Sequence, residues 1–176
     1  MCGIAGLFGP DGNDAEMAHS MASLLSHRGP DGIQSWSEDC SHGGIGLGHT
    51  RLSIVDIHGS NQPLHSDSGC VLIVNGEIYN HKLIRDSAHG YPWRTQGDGE
   101  AILAAYASRK SPTDWLNLID GIWGFALWDP KSAHLILSRD PVGVKPLIRT
   151  LTSDGTLLFG SESKSLRAHP GHTPQL

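Results

Sequence analysis

The chain is poor in several things, and each shortage removes a class of function. Three cysteines, Cys2, Cys40 and Cys70, in 176 residues are too few and too unevenly spaced for a disulfide framework. Such usage points to a reducing cytoplasm, where a free thiol stays available for chemistry. There is no Lys/Arg cluster, and the formal net charge is -5, which argues against a nucleic-acid partner. No apolar run approaches the roughly 20 residues needed to cross a bilayer, so no membrane partner is expected. The opening residues, Met1 to Gly9, lack the basic start and apolar core of a secretory signal. Internal repeats and low-complexity segments are absent. The 11 histidines show no paired spacing, and Cys40 and His42 find no companion ligands, so no metal site is predicted. Gly44-Ile45-Gly46-Leu47-Gly48 has the wrong spacing for a dinucleotide loop, and no Walker pattern occurs.

What is present reads as one domain with an ordinary core: 38% of residues are hydrophobic and 22 are glycine, a glycine count suited to turns and closely packed strands. Ile4 to Phe8 is an expected buried strand. Asn13 or Asp14 caps a predicted helix running to about Ser26, with capping-box spacing from Asn13 to Glu16. Met17, Met21, Leu24 and Leu25 form its apolar stripe, and Gly29-Pro30 ends it. Strands are expected over 45–49 and 52–55. Val71 to Val74 reads as an interior strand stopping at Asn75-Gly76. A helix is predicted from Gly99 or Glu100 to about Ser108, and another after Pro112. Ile122 to Trp128 reads as a strand buried on both faces. Segments 133–138, 147–150 and 157–159 continue an antiparallel series, with a hairpin turn at Asp154-Gly155. Grouped helices and more numerous strands indicate an α+β class with antiparallel sheets.

Cys2 has a special chemical prospect. Removal of Met1, which aminopeptidases carry out when the next residue is small, leaves a thiol and a free α-amine on one residue. An α-amine titrates near 7.7–8.0 and a thiol near 8.5. The amine can therefore take the thiol's proton, so nucleophile and base need no second residue. Taken alone, however, Cys2 is more readily a small hydrophobe beside the start codon.

The residues that follow change that balance. Met1-Cys2-Gly3-Ile4-Ala5-Gly6, His27-Arg28-Gly29-Pro30-Asp31 and Arg51-Leu52-Ser53-Ile54-Val55-Asp56 come first. Then come Gln62-Pro63-Leu64, Val74 to Asn80, Asp98-Gly99-Glu100, Arg139 to Leu147 and Phe159-Gly160-Ser161-Glu162. This ordered set, spanning residue 1 to about 167, resembles class II glutamine amidotransferases of the N-terminal-nucleophile hydrolase superfamily. The Arg51 and Asn75 blocks are most similar to the glutaminase half of asparagine synthetases.

The resemblance implies a four-layer α/β/β/α sandwich, and hydrolysis of L-glutamine to glutamate and ammonia through a γ-glutamyl thioester on Cys2. It implies an oxyanion hole from Asn75 and Gly76. Arg51 would hold the substrate's α-carboxylate, beside the backbone of Leu52, Ser53, Ile54 and Val55. Asp98, helped by Glu77, would hold the α-ammonium. His27, Arg28 and Asp31 would form a polar cluster fixing the loops near Cys2. Arg139, Asp140 and Lys145 would serve scaffold or domain contacts. The ammonia would pass to a synthetase domain, most naturally for asparagine synthesis from aspartate. ATP and Mg would enter only there, leaving this domain without a cofactor.

One departure stands out: the family commonly has Ser before Asp98, and here it is Gly97. With Gly99 on the other side, a looser loop and a weaker α-ammonium contact are expected. Residues 1–167 are assigned to the glutaminase domain and 168–176 to the start of a linker. The oligomeric state is left open, a homodimer among the options. Two competing readings are an N-terminal cysteine hydrolase of another amide, and a catalytically idle packing or regulatory domain.

Overall fold

Alternation along the strands sets the layers. In β1 (Gly3–Gly9), Ile4 faces one way while Ala5 and Leu7 face the other. In β5 (Val71–Ile78), Val71 and Ile73 oppose Leu72 and Val74; in β6 (Gly121–Asp129), Ala126 and Trp128 oppose Phe125 and Leu127. Successive strand side chains point to opposite faces, so each central strand feeds two cores.

The computed structural model describes residues 1–10, 12, 14–41, 43–54, 56 and 59–173. The remaining elements are α1 (Ala15–Ser23), β2 (Gly32–Cys40), β3 (Gly43–Arg51), β4 (Leu64–His65), α2 (His81–Ser87) and α3 (Glu100–Ala107). A 3₁₀ turn (Asp114–Leu118), β7 (His134–Arg139), β8 (Ile148–Leu151), β9 (Leu157–Gly160) and α4 (Ser163–Leu166) complete the order. Antiparallel pairing gives one sheet in the order β2-β3-β1-β9-β8 and a second in the order β4-β5-β6-β7. Ile4, Ile45, Leu47 and Phe159 of the first meet Val71, Ile73, Ala126 and Trp128 of the second in a shared core. The outer face of the first sheet packs on α1 and α4, and that of the second on α2 and α3. The result is the expected α/β/β/α sandwich.

The glycine run in β3 has a packing purpose. Ile45 and Leu47 fill the inter-sheet core, while the opposite face lets α1 approach closely. A Cβ on Gly48 would lie 2.3 Å from the Ala18 carbonyl oxygen and 2.9 Å from Ala22 Cβ.

Most expected elements are present, and the differences have physical causes. Helix α1 is shorter than predicted: Asp14 caps it by accepting from the Met17 N–H at 2.7 Å, and the chain passes into turns after Ser23. Met21 and Leu25 are buried as expected, but Leu24 is exposed. Asn13 lies outside the described residues. No strand forms over Leu52 to Ile54, because β3 ends at Arg51. The N–H of Leu52 points to Cys2 Sγ and that of Ser53 is taken by Asp31, so side chains replace a ladder. Asn75-Gly76 is not a turn. Strand β5 runs through it to Ile78, pairing Asn75 with Gly124 and Gly76 with Trp123. The predicted helix after Pro112 is the 3₁₀ turn, and β2 and α2 were not anticipated. Residues 167–173 continue from α4 in turns, with His169 buried.

Candidate active site

Three strands bring the predicted site together. Cys2 immediately precedes β1, Arg51 ends β3, and Asn75-Gly76-Glu77 sits within β5 on the other sheet. A cavity of about 140 Å³ opens where these strand segments meet, lined by Cys2, Arg51, Asn75, Gly76, Glu77 and Asp98. That is small beside the roughly 300–1,000 Å³ of drug-sized sites, and suits a single amino acid. Of the 52–55 segment, Leu52 and Ile54 line it. Ser53 donates its N–H to Asp31 at 2.7 Å, and Val55 lies outside the described residues.

The thiol is held by backbone: Leu52 N lies 3.4 Å from Cys2 Sγ, and Sγ lies 3.7 Å from the Leu52 carbonyl. Arg28 braces the same residue from behind, donating from Nε to the Cys2 carbonyl at 2.9 Å and from Nη1 to Glu162 at 2.7 Å. Glu162 collects His27 and Lys164 as well. Arg28's hydrogen bond, then His27 and Lys164, outweigh partial burial and pull the Glu162 carboxyl down to about 2. Met1 lies over the pocket, its sulfur 3.5 Å from Lys145 Nζ.

Asn75 is the most informative group. It is 1% exposed, and its side-chain Nδ2 has no hydrogen-bond partner among the described residues. A buried amide donor left unpaired costs free energy and calls for a reason. Here the reason is the cavity it lines with Cys2. Gly76 next to it packs so tightly that a Cβ would fall 2.5 Å from the Ile122 carbonyl oxygen.

The two ends of the cavity carry opposite charge. Arg51 donates from Nη1 to Asn61 Oδ1 at 2.7 Å and from Nη2 to the Asp56 carbonyl at 2.6 Å. These bonds aim a planar guanidinium suited to bidentate carboxylate binding. Asp98 is pinned by the Ile78 N–H, 2.7 Å from Oδ2, which ties its loop to the end of β5. Behind Arg51, His49 is buried with Nε2 unpartnered among the described residues. Burial, then the Arg51 charge, push its pKa down to about 3 against a hydrogen bond to the Val74 backbone, so the ring is neutral.

Asp140 behaves as the scaffold residue expected. Burial works to raise its carboxyl, but the N–H groups of Lys145, Val144, Trp123 and Gly143 outweigh it and hold it below the usual carboxylate range. Lys145 differs from expectation, since its side chain also lines the cavity. Sequence reasoning missed Ser60 and the role of Gln62 in the wall. The Gln62 amide imitates a strand, donating to the Val74 carbonyl at 3.0 Å and accepting from its N–H at 2.6 Å. Its place in the Gln62-Pro63-Leu64 block was the available signal; Ser60 offered none.

Comparisons with known proteins identify the family. A Mycobacterium tuberculosis protein provisionally named asparagine synthetase (glutamine-hydrolysing) is 43% identical over 94% of this chain and 28% of its own length. The Asparagus officinalis asparagine synthetase (glutamine-hydrolysing) is 36% identical, with the same coverages of 94% and 28%. The chain thus spans about a quarter of the length of these relatives. The Bacillus subtilis glutamine phosphoribosylpyrophosphate amidotransferase superposes with a TM-score of 0.79 at 18% identity, over 94% of this chain and 43% of that one. At that identity the likeness speaks for the fold. A glutamine amidotransferase domain profile matches residues 1–176, and the chain belongs to that family.

Proposed function

We propose that this domain hydrolyses L-glutamine to L-glutamate and ammonia, with Cys2 as the N-terminal nucleophile once Met1 is removed. The observation that carries the reading is the buried Asn75 Nδ2, without a partner among the described residues, in the wall shared with the Cys2 thiol. The Cys2 α-amine takes the thiol proton as Sγ attacks the side-chain carboxamide carbon. Negative charge then appears on the carboxamide oxygen, where Asn75 Nδ2 and the Gly76 backbone N–H receive it. Donors of this kind are typically worth about 10²–10³ in rate. The tetrahedral intermediate collapses by breaking the C–N bond, and the ammonium form of the terminus gives its proton to the departing nitrogen. Ammonia leaves and a γ-glutamyl thioester remains. Water, deprotonated by the same amine, attacks that thioester; the C–S bond breaks, glutamate leaves and the thiol regains its proton.

Arg51 holds the α-carboxylate, while Asp98 with Glu77 holds the α-ammonium. A glutamine inside a peptide has neutral groups at both places and would leave these charges unpaired, which is how the pocket selects the free amino acid. A hydrolase of other acyl amides has no use for that pair. The reaction needs no metal or redox cofactor. Its ammonia serves a synthetase domain, most naturally one that makes asparagine from aspartate with ATP and Mg, in the cytoplasm.

Incubation with 6-diazo-5-oxo-norleucine, a glutamine mimic, followed by intact-mass measurement and peptide mapping tests the proposal. One adduct per chain on a Cys2 that has become the first residue is expected. Labelling elsewhere, or none, overturns it.

A further inference from the structure

Ser60 lines the same cavity as Asp98 and Glu77, and nothing described above has used its hydroxyl. Its position depends on Gly97. A Cβ built on Gly97 would fall 2.1 Å from Ser60 Oγ and 2.8 Å from Ser60 Cβ. The two positions compete for one volume, and in this chain Ser60 fills it. The missing Gly97 side chain thus leaves room for a hydroxyl arriving from the segment that follows β3.

The orientation of that hydroxyl is settled by its partner. Ser60 Oγ donates to Asp56 Oδ2 at 2.7 Å, and the Gln96 N–H donates to the same oxygen at 2.8 Å. The Ser60 bond, then the Gln96 bond, hold the Asp56 carboxyl below its ordinary range, as a carboxylate acceptor requires. With its proton committed to Asp56, the Ser60 oxygen can only accept further hydrogen bonds, since a hydroxyl has one O–H and two lone pairs. An acceptor beside Asp98 matches an ammonium group, which carries donors alone. Asp56 meanwhile offers its backbone carbonyl to Arg51 at 2.6 Å. One residue therefore connects the two ends of the substrate grip.

We propose that Ser60 binds substrate, accepting a hydrogen bond from the α-ammonium of glutamine next to Asp98. Its hydroxyl lies 2.1 Å from where a serine at position 97 would place its Cβ. The assignment rests on glutamine being the ligand of this pocket. It deepens that reading by making selection for the α-ammonium depend on Ser60 as well as Asp98.

The test compares two ligands. Glutamine has the α-ammonium; glutaramate, the monoamide of glutaric acid, keeps the carboxylate and carboxamide but lacks it. With Met1-processed protein, Ser60→Ala should raise KM for glutamine about tenfold, the size expected for a hydrogen bond to a charged group. The inhibition constant of glutaramate against glutamine turnover should stay the same. Combining Gly97→Ser with Ser60→Gly should return KM toward the starting value, because both the Oγ and the Cβ that crowd position 97 are then gone. If Ser60→Ala leaves KM for glutamine unchanged in an active enzyme, the proposal falls while the glutaminase reading stands. If binding of both ligands weakens equally, Ser60 only braces Arg51 through Asp56, and the proposal falls. A wild-type enzyme without glutamine turnover overturns both.

Discussion

The two ends of the cavity proposed to hold glutamine are built by different means. The reacting end is carried by regular strands: Cys2 leads into the central strand of one sheet, and Asn75 sits inside the other, paired with Gly124. The end proposed to take the ammonium is carried by loops, in which Asp56 accepts from Ser60 and Gln96, and Asp98 accepts from the Ile78 N–H at the end of β5. Paired backbone fixes the proposed nucleophile and oxyanion donor within tight limits, which chemistry demands because small displacements cost much rate. Loops need only supply complementary charge, and the crowding between Ser60 and position 97 leaves room for a side chain at one of the two places. Chemistry and selectivity should therefore separate under mutation.

The largest effect is expected at the strand-borne end. Asn75→Ala should lower kcat by about 10²–10³ with little change in KM. Because the Nδ2 donor has no partner among the described residues, its loss breaks none of the described bonds. Urea denaturation should accordingly show a much smaller loss of stability than removing a satisfied buried amide would give. A large loss of stability with retained kcat would place Asn75 in the scaffold instead. At the loop-borne end, Asp98→Asn keeps the shape and removes the charge. KM for glutamine should rise about 10- to 100-fold, the range for a hydrogen bond to a charged partner, with kcat changed far less. Steady-state kinetics on both variants would break the comparison if the kcat and KM effects were exchanged.

The same division explains what could be read from the amino-acid sequence. The long apolar strands were legible, because uninterrupted β-formers such as Val71-Leu72-Ile73-Val74 admit few other readings. The four-layer arrangement came through the resemblance, since no alternation pattern reports how many layers stack. Asn75-Gly76 misled as the end of a strand, because the local turn preference of that pair is overridden when a neighbouring strand continues alongside it. Leu52-Ser53-Ile54 misled in the other direction. Its β-forming side chains carry no hint that Cys2 and Asp31 would capture its N–H groups. Ser60 was invisible for a related reason: its value comes from a glycine 37 positions away in the sequence, a relation that exists only after folding.

A packing prediction sharpens the contrast from the scaffold side. Gly48→Ala would push a methyl group against the Ala18 carbonyl oxygen, backbone that cannot rotate aside. Destabilisation of about 1–3 kcal/mol is expected, as for other overpacked sites. The cost should appear in the denaturation midpoint, while KM in the folded fraction stays constant. Gly48 lies on the α1 side of β3, away from the loops that grip the substrate, so a changed KM would show that the two ends are mechanically linked.

The smallest effect expected comes from Glu162, whose carboxylate connects Arg28, and through it the Cys2 carbonyl, to the α4 end of the molecule. Its folded pKa of about 2 lies below the ordinary 4.5. The folded state therefore keeps its charge where the unfolded chain has begun to take a proton. The resulting stabilisation is complete above about pH 4.5, fades as pH falls, and is gone below about 2. At 29% side-chain exposure solvent screens much of it, leaving about 1 kcal/mol at neutral pH. His49 acts in an overlapping window. Its pKa falls from 6.5 to about 3 in the folded protein, so stability is also lost between those values as the unfolded histidine charges. Both the wild type and Glu162→Gln keep His49, so the difference between their stabilities isolates the carboxylate. That difference should shrink toward zero as the medium is acidified from pH 5 to pH 2. A gap that stays fixed throughout would mean that Glu162 contributes shape rather than charge to the brace behind Cys2.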